Sequence, residues 1–284
     1  MKANQTFLYS SLKWTAYIWV ASFLLAAHYH ASIGFDSTND IIKLLFASGN
    51  HWREQLVSPS NNETSFVYLP LITGAAANLP TESLLLHYRF EGNSMDSSGH
   101  ANHGAEFGGV SYVDGKLGLA AKFDGVNDYI RRSNPPILQH LSSTFTITFW
   151  IKPEGSQNSG VIDIGKENKE TWEIYHNKQL TGYVQNWNRP QTEVFPYTVP
   201  TPLHVWTFIT FVYEDKHFSA FVNGIEVAEF EFNHNPIIDD DEWIEVGVNA
   251  PGGDEYFKGQ LDEIRMYGRA LQDSEIQALF NEGN

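Results

Sequence analysis

Six oxygen-bearing side chains stand out for the chemistry they could share: Glu91, Asn93, Asp96, Ser98, Asn102 and, much later in the chain, Asp262. Carboxylates, amides and hydroxyls are hard ligands. A Ca²⁺ ion takes about six to eight such oxygens, and a glycine-bearing loop can add backbone carbonyls. The same residue types have a plainer use. Asp96 and Asn102 can hydrogen-bond nearby backbone groups and shape turns, and Asp262 can pair with Arg265 or with a backbone amide. Asp124 and Asp128, close to Gly125, read as turn residues.

A second chemistry lies in the aromatic residues. Trp172, Tyr183, Trp187, Trp206 and Trp243 have flat faces that stack on sugar rings. Trp187-Asn-Arg-Pro190 has the composition of a loop, so Trp187 and Asn188 are the candidate carbohydrate contacts. Trp150, Trp206 and Trp243 fall inside strand patterns and are expected in the core. The full signatures of acyl-transfer, zinc-protease and phosphate-loop chemistry (Gly-x-Ser-x-Gly, His-Glu-x-x-His, Gly-x-x-x-x-Gly-Lys-Ser/Thr) are missing.

Composition narrows the classes. The chain has 284 residues, 42% hydrophobic and 18% charged, which is globular composition. Its net charge of -16 would repel a phosphate backbone, so nucleic acid is excluded as a partner. With no cysteine there is no disulfide framework, zinc-thiolate site or thiol nucleophile. Aromatics make up 14%, an enrichment that suits pleated surfaces.

The elements that must position these residues are short strands. From Leu84 onward, 84–90, 120–123, 145–151, 160–164, 171–175, 206–213, 217–222, 225–232 and 243–248 read as strands. In Thr144-Phe-Thr-Ile-Thr-Phe-Trp-Ile151 the residues Phe145, Ile147 and Phe149 share one face and three threonines the other, the period-two pattern of a half-buried antiparallel strand. Asn223-Gly224 between two such runs predicts a type I′ hairpin. A helix is expected only at the end, Ser274 to Phe280, with Ser274 as its cap. Many short strands and little helix imply an all-β antiparallel jelly-roll sandwich.

Four landmarks, in order, carry a resemblance. They are His87-Tyr-Arg-Phe-Glu-Gly-Asn93 with Asp96-Ser-Ser-Gly99 and Asn102-His-Gly104; Lys122-Phe-Asp-Gly125; the strands around Phe145 and Trp206 with Phe221-Val-Asn-Gly224; and Phe257 to Leu271 with Ser274-Glu-Ile276. Over residues 83–284 the chain resembles bacterial laminin-G-like or pentraxin-like jelly rolls of the concanavalin A-like lectin/glucanase superfamily. The resemblance implies that the first and last strands are neighbours. It also implies a structural Ca²⁺ held first by Asp96 and Asp262, then by Asn102 and Glu91. The glucanase branch carries Glu-x-Asp-x-(x)-Glu on one strand; the nearest run here is Asp239-Asp-Asp-Glu-Trp-Ile-Glu245, whose Glu245 reads as an exposed strand face. The resemblance therefore implies a binding module and not an enzyme.

Ahead of the sandwich, Lys2 and Lys13 precede an apolar run that starts at Trp14, and Asp36 and Asp40 follow it. Residues 14–35 are long enough to cross a bilayer as one helix, N-terminus inside, with Trp14, Tyr17, Trp19 and Tyr29 in the interfacial belts. His28, Tyr29 and His30 make a poor cleavage site, so residues 1–35 are expected to stay as a single-pass bacterial membrane anchor. His28 and His30 lie two apart at the membrane boundary and are read as interfacial. Residues 36–57 are expected to form a short amphipathic helix and 58–82 an extended linker. Tyr68-Leu-Pro-Leu-Ile72 resembles a spacer of exported proteins from green filamentous phototrophic bacteria. The first functional expectation is a non-catalytic accessory subunit docking, through its helix and sandwich, on the outer face of a larger membrane complex, respiratory or photosynthetic. The alternatives are a surface-anchored glycan-binding lectin and a glycoside hydrolase.

Overall fold

The computed structural model describes residues 42–48, 51–57, 64–68, 79–141, 143–166, 169–177, 180–184, 193–194, 196–235, 241–249 and 255–283. The chain divides into two compact units, Met1–Ile72 and Thr73–Asn284.

In the first unit, β1 (Ile42–Ser48), β2 (His51–Val57) and β3 (Thr64–Tyr68) form an antiparallel sheet in that order. Over 42–48 and 51–57, strand pairing therefore stands where an amphipathic helix was expected, and β3 falls in the stretch expected to be an extended linker. Ser48 pairs with His51, which leaves Gly49-Asn50 between the strands. That dipeptide is hairpin chemistry, and both residues are poor in a helix interior. The transmembrane helix expected at 14–35, with His28 and His30, lies outside the described residues. Among the described residues no helix is long and apolar enough to cross a membrane.

The second unit is a sandwich of two antiparallel sheets. The seven-stranded sheet contains β5 (Ala105–Phe107), β8 (Tyr129–Ser133), β10 (Ser159–Lys166), β11 (Lys169–His176), β12 (Leu180–Val184), β13 (Glu193–Val194) and β17 (Trp243–Val246), in the order β13-β12-β11-β10-β17-β8-β5. The eight-stranded sheet contains β4 (Leu84–Tyr88), β6 (Ser111–Asp114), β7 (Leu119–Asp124), β9 (Thr144–Pro153), β14 (Thr207–Glu214), β15 (His217–Val222), β16 (Ile225–Glu231) and β18 (Lys258–Tyr267). Its order is β16-β15-β14-β9-β18-β7-β6, with β4 also on β18. The first and last strands of the sandwich are thus paired, Tyr88 opposite Ile264.

Between the sheets, Phe145, Ile147, Phe149, Phe211 and Tyr213 meet Ile162, Ile164, Trp172, Ile174, Ile244 and Val246 in one buried core. The Asn223-Gly224 turn has positive φ at both residues (51° and 77°), as a type I′ turn requires.

The other face of β9 departs from the sequence expectation. Thr146, Thr148 and Trp150 are as buried as the core face. A second cluster covers them: Trp150, Phe208, Phe221, Tyr267, Leu271, Ile276 and Leu279, the last two from the C-terminal helix Asp273–Glu282. Thr146 Oγ1 donates to the Arg269 carbonyl (2.8 Å) and accepts from the Leu271 amide (3.0 Å), tying strand to helix approach. The helix is capped at Gln272, not Ser274: Glu275, three residues on, accepts the Gln272 amide at 2.9 Å and is itself gripped by Arg269.

Candidate functional site

Asp96 sits where the chain leaves β4. Oδ1 accepts the amides of His87 (2.9 Å) and Ser98 (2.8 Å), and Oδ2 accepts the Ser98 hydroxyl (2.9 Å) and the Asn102 amide (2.9 Å). Burial raises its pKa, but the amides of Ser98, His87 and Asn102 outweigh it and hold the carboxyl below the usual range. Asn102 is buried, donates to the Leu85 carbonyl (3.1 Å), and its own carbonyl accepts the Tyr88 hydroxyl (2.7 Å).

Asp262 and Glu91 belong to a different set. Asp262 Oδ2 accepts the amides of Lys116 and Leu117, both at 2.9 Å, and Glu91 Oε2 accepts the Leu119 amide at 3.3 Å. Both carboxylates clasp the turn between β6 and β7. The backbone conformation at Gly118 (φ +60°) favours glycine there, and a Cβ would also displace the Glu91 carboxylate from the turn. Burial, with Glu263 adding to it, pushes Asp262 up to about 7.

The four residues implied as Ca²⁺ ligands therefore act as two turn fasteners. Both Asp96 oxygens are taken by donors, and each set leaves a single buried oxygen without one, Asn102 Oδ1 and Asp262 Oδ1. Among the described residues no three Asp, Glu or His side chains are grouped to hold a metal ion. That does not fit the shell a hard divalent cation needs. Asp262 has a backbone amide partner as one alternative foresaw, whereas Arg265 pairs with Glu263 (2.5 Å) and Glu282 (2.7 Å). A bulge in β18 between Asp262 and Arg265 makes this possible: Glu263, at φ +50°, turns inward to meet His87 Nε2 at 2.6 Å.

A different site emerges on the seven-stranded sheet, on the face turned away from the core. Ile130 on β8 and Ile244 and Val246 on β17 point into the core, so alternation puts Tyr129, Arg131, Trp243 and Glu245 outside. The register sets Phe107 beside Tyr129, and Arg131 beside Glu245. Phe107 and Tyr129 stack, centroids 4.6 Å apart and planes within 7°. The Arg131 guanidinium lies 4.0 Å from the Trp243 ring centroid, and its Nε donates to Glu245 at 2.5 Å. Tyr256 extends the strip beyond Tyr129, at 6.4 Å.

Behind the strip runs a row of acids in direct cross-strand register: Glu245 on β17, Asp163 on β10 and Glu173 on β11. All three are buried. Burial raises the Glu245 pKa against the opposing pull of Arg131. Glu245, expected on an exposed face, is instead the inner partner of Arg131. Trp243, expected in the core, is partly exposed beneath that arginine. The sequence reading missed Phe107, Tyr129 and Arg131 because β5 and β8 are short and weakly patterned; the signal available was the alternation of Tyr129, Arg131 and Ser133 around Ile130. Trp187 and Asn188 lie outside the described residues. Trp172 is core, and Trp206 is half-buried beneath Lys152.

No curated protein matches the sequence at a significant level. Among solved structures, domain 4 of AbnA, a GH43 extracellular arabinanase from Geobacillus stearothermophilus in complex with arabinotriose, is 25% identical with a TM-score of 0.52, covering 69% of this chain and 98% of that domain. The binding domain of botulinum neurotoxin DC in complex with rat synaptotagmin II superposes with a TM-score of 0.59 at 18% identity, over 72% of this chain and 52% of that one. The same toxin domain in complex with SialylT gives 0.56 at 17%, again covering 52% of the toxin chain. The chain thus spans about half the length of these toxin structures, which at such identity show the fold alone. A family model matches residues 124–277, more than half of the sequence, and the chain belongs to the concanavalin A-like lectin/glucanases superfamily.

Proposed function

We propose that the sandwich is a non-catalytic saccharide-binding module whose ligand lies along Phe107, Tyr129, Arg131 and Trp243. The observation that carries it is the strip itself. Phe107, 40% exposed, is stacked on Tyr129 and offers a preset ring face. Arg131, fixed by Glu245 and Trp243, offers donors beside it. A flat apolar face next to an oriented polar fork matches a sugar ring, which has an apolar C–H face and a rim of hydroxyls. The arabinotriose complex of the arabinanase domain supports the ligand class. The buried acids of the neighbouring row favour a binding role over hydrolysis, since a catalytic carboxylate must reach the glycosidic oxygen.

The test is calorimetric titration of the full chain with a panel of oligosaccharides. Phe107→Ala and Tyr129→Ala should each weaken binding about tenfold or more. Phe107→Ala should leave the melting temperature within about 2 °C, because the ring is largely on the surface. Unchanged affinity in both variants would move the ligand elsewhere.

A second reading rests on the apolar run at 14–35: the module is tethered to a bacterial membrane with the sandwich outside, beside other subunits. Membrane fractionation and co-purification in mild detergent test it; a chain that partitions to the aqueous phase and runs alone removes it.

A further inference from the structure

Resting on the saccharide reading, we infer that Glu245 sets the charge preference of the site, so that its ligand is a neutral saccharide and not a sialylated or uronic one. Arg131 is the one cation among the described side chains of the strip and its row. An exposed arginine beside aromatic rings would ordinarily be an acidic-sugar site, because its planar fork matches a carboxylate. Here Nε is already committed to Glu245 at 2.5 Å, and the guanidinium face is occupied by Trp243 at 4.0 Å. What remains toward Tyr129 and Phe107, whose centroids lie 5.3 Å and 5.8 Å from the guanidinium carbon, is the outer edge of the fork. That edge donates well to adjacent hydroxyls.

The charge that would attract an anion is matched within the same ion pair. Glu255 stands nearby, its carboxylate accepting from Tyr175 (2.9 Å) and Asn249 (2.7 Å), both neutral donors. A carboxylate brought to the strip finds the Arg131 charge already paired with Glu245 and meets Glu255, the neighbour of Tyr256 in the chain. At the separations of neighbouring strands, one uncompensated like charge costs about tenfold in affinity.

The experiment compares neutral trisaccharides (arabinotriose, cellotriose) with acidic ones (trigalacturonate, sialyllactose) on the wild-type full chain and on Glu245→Gln. The wild type should favour the neutral set by about tenfold or more. Glu245→Gln keeps the shape and a hydrogen-bond acceptor for Arg131 but frees its charge, so the acidic set should gain about tenfold relative to the neutral set. If Glu245→Gln lowers the melting temperature too far to titrate, the double variant Glu245→Gln with Arg131→Gln removes both charges. It should lose affinity for neutral sugars without gaining any for acidic ones. A wild type that binds acidic sugars as well as neutral ones, or a preference unmoved in Glu245→Gln, overturns the inference and leaves the saccharide site standing. If no sugar of either class binds any form, the saccharide reading falls and takes this inference with it.

Discussion

Three buried threonines on the outer face of the eight-stranded sheet allow a sharp test of how the C-terminal helix is held. Thr146 Oγ1 both donates to Arg269 O and accepts from Leu271 N. Thr148 and Thr210, paired across β9 and β14, have hydroxyls with no hydrogen-bond partner. Valine has nearly the shape of threonine without the hydroxyl, so Thr→Val isolates the polar term. In Thr146→Val the Leu271 amide is left buried without an acceptor and the Arg269 carbonyl loses a donor. At about 1–3 kcal/mol for each orphaned group, with the carbonyl partly relieved by solvent, the loss should be about 2–4 kcal/mol. For a unit of this size that is a fall in melting temperature of roughly 5–12 °C. In Thr148→Val or Thr210→Val no bond is lost and a buried hydroxyl is removed. Stability should stay within about 1 kcal/mol, on the favourable side. Urea denaturation followed by tryptophan fluorescence measures all three. Equal losses in Thr146→Val and Thr148→Val would refute the reasoning, because the effect would then come from packing and not from the bridge to Leu271.

Three further outcomes are expected. His176 is buried, lies edge-on to Phe257, and is pushed down by burial to about 4, below the 6.5 of the free side chain. A depressed folded pKa means that the unfolded chain binds the proton first, so stability is lost as pH falls from about 6.5 to 4; His176→Leu should shrink the difference in unfolding free energy between pH 7 and pH 4 by about 3 kcal/mol in denaturant titrations. Glu275→Ala removes the acceptor for the Gln272 amide and the two-bond pair with Arg269, and should cost about 1–2 kcal/mol by the same titration, with hydrogen exchange rising first in the last helix. Chelation with EDTA should leave the melting temperature unchanged, since Asp96 and Asp262 are held by backbone amides; a fall of several degrees that Ca²⁺ restores would show that the two fasteners share an ion.

What the sequence by itself determined was local and periodic. The alternation of Phe145, Ile147 and Phe149 fixed which face of β9 enters the core, Asn223-Gly224 fixed a hairpin, and the landmarks from His87 to Ile276 indicated which strands come first and last. The oxygen-rich residues were also legible as a group, because Asp96 and Asn102 sit in turn-forming sequence. Which partner each carboxylate would find was not. Asp262 reaches Lys116 and Leu117 across more than a hundred residues, and only the bulge in β18 turns it and Glu263 inward. Period-two patterning says that two faces differ; it does not say what lies over the second one. Thr146 and Thr148 look like a solvent face until the C-terminal helix is laid on them, and Glu245 looks exposed until Arg131 arrives from β8. The hairpin at 42–57 shows the same limit on a smaller scale, since an amphipathic helix and a strand pair compete there and pairing register decides between them. The aromatic strip is wholly a product of tertiary structure: Phe107, Tyr129, Arg131 and Trp243 come from three strands, β5, β8 and β17, that lie side by side in the sheet although more than a hundred residues separate the last two in the chain.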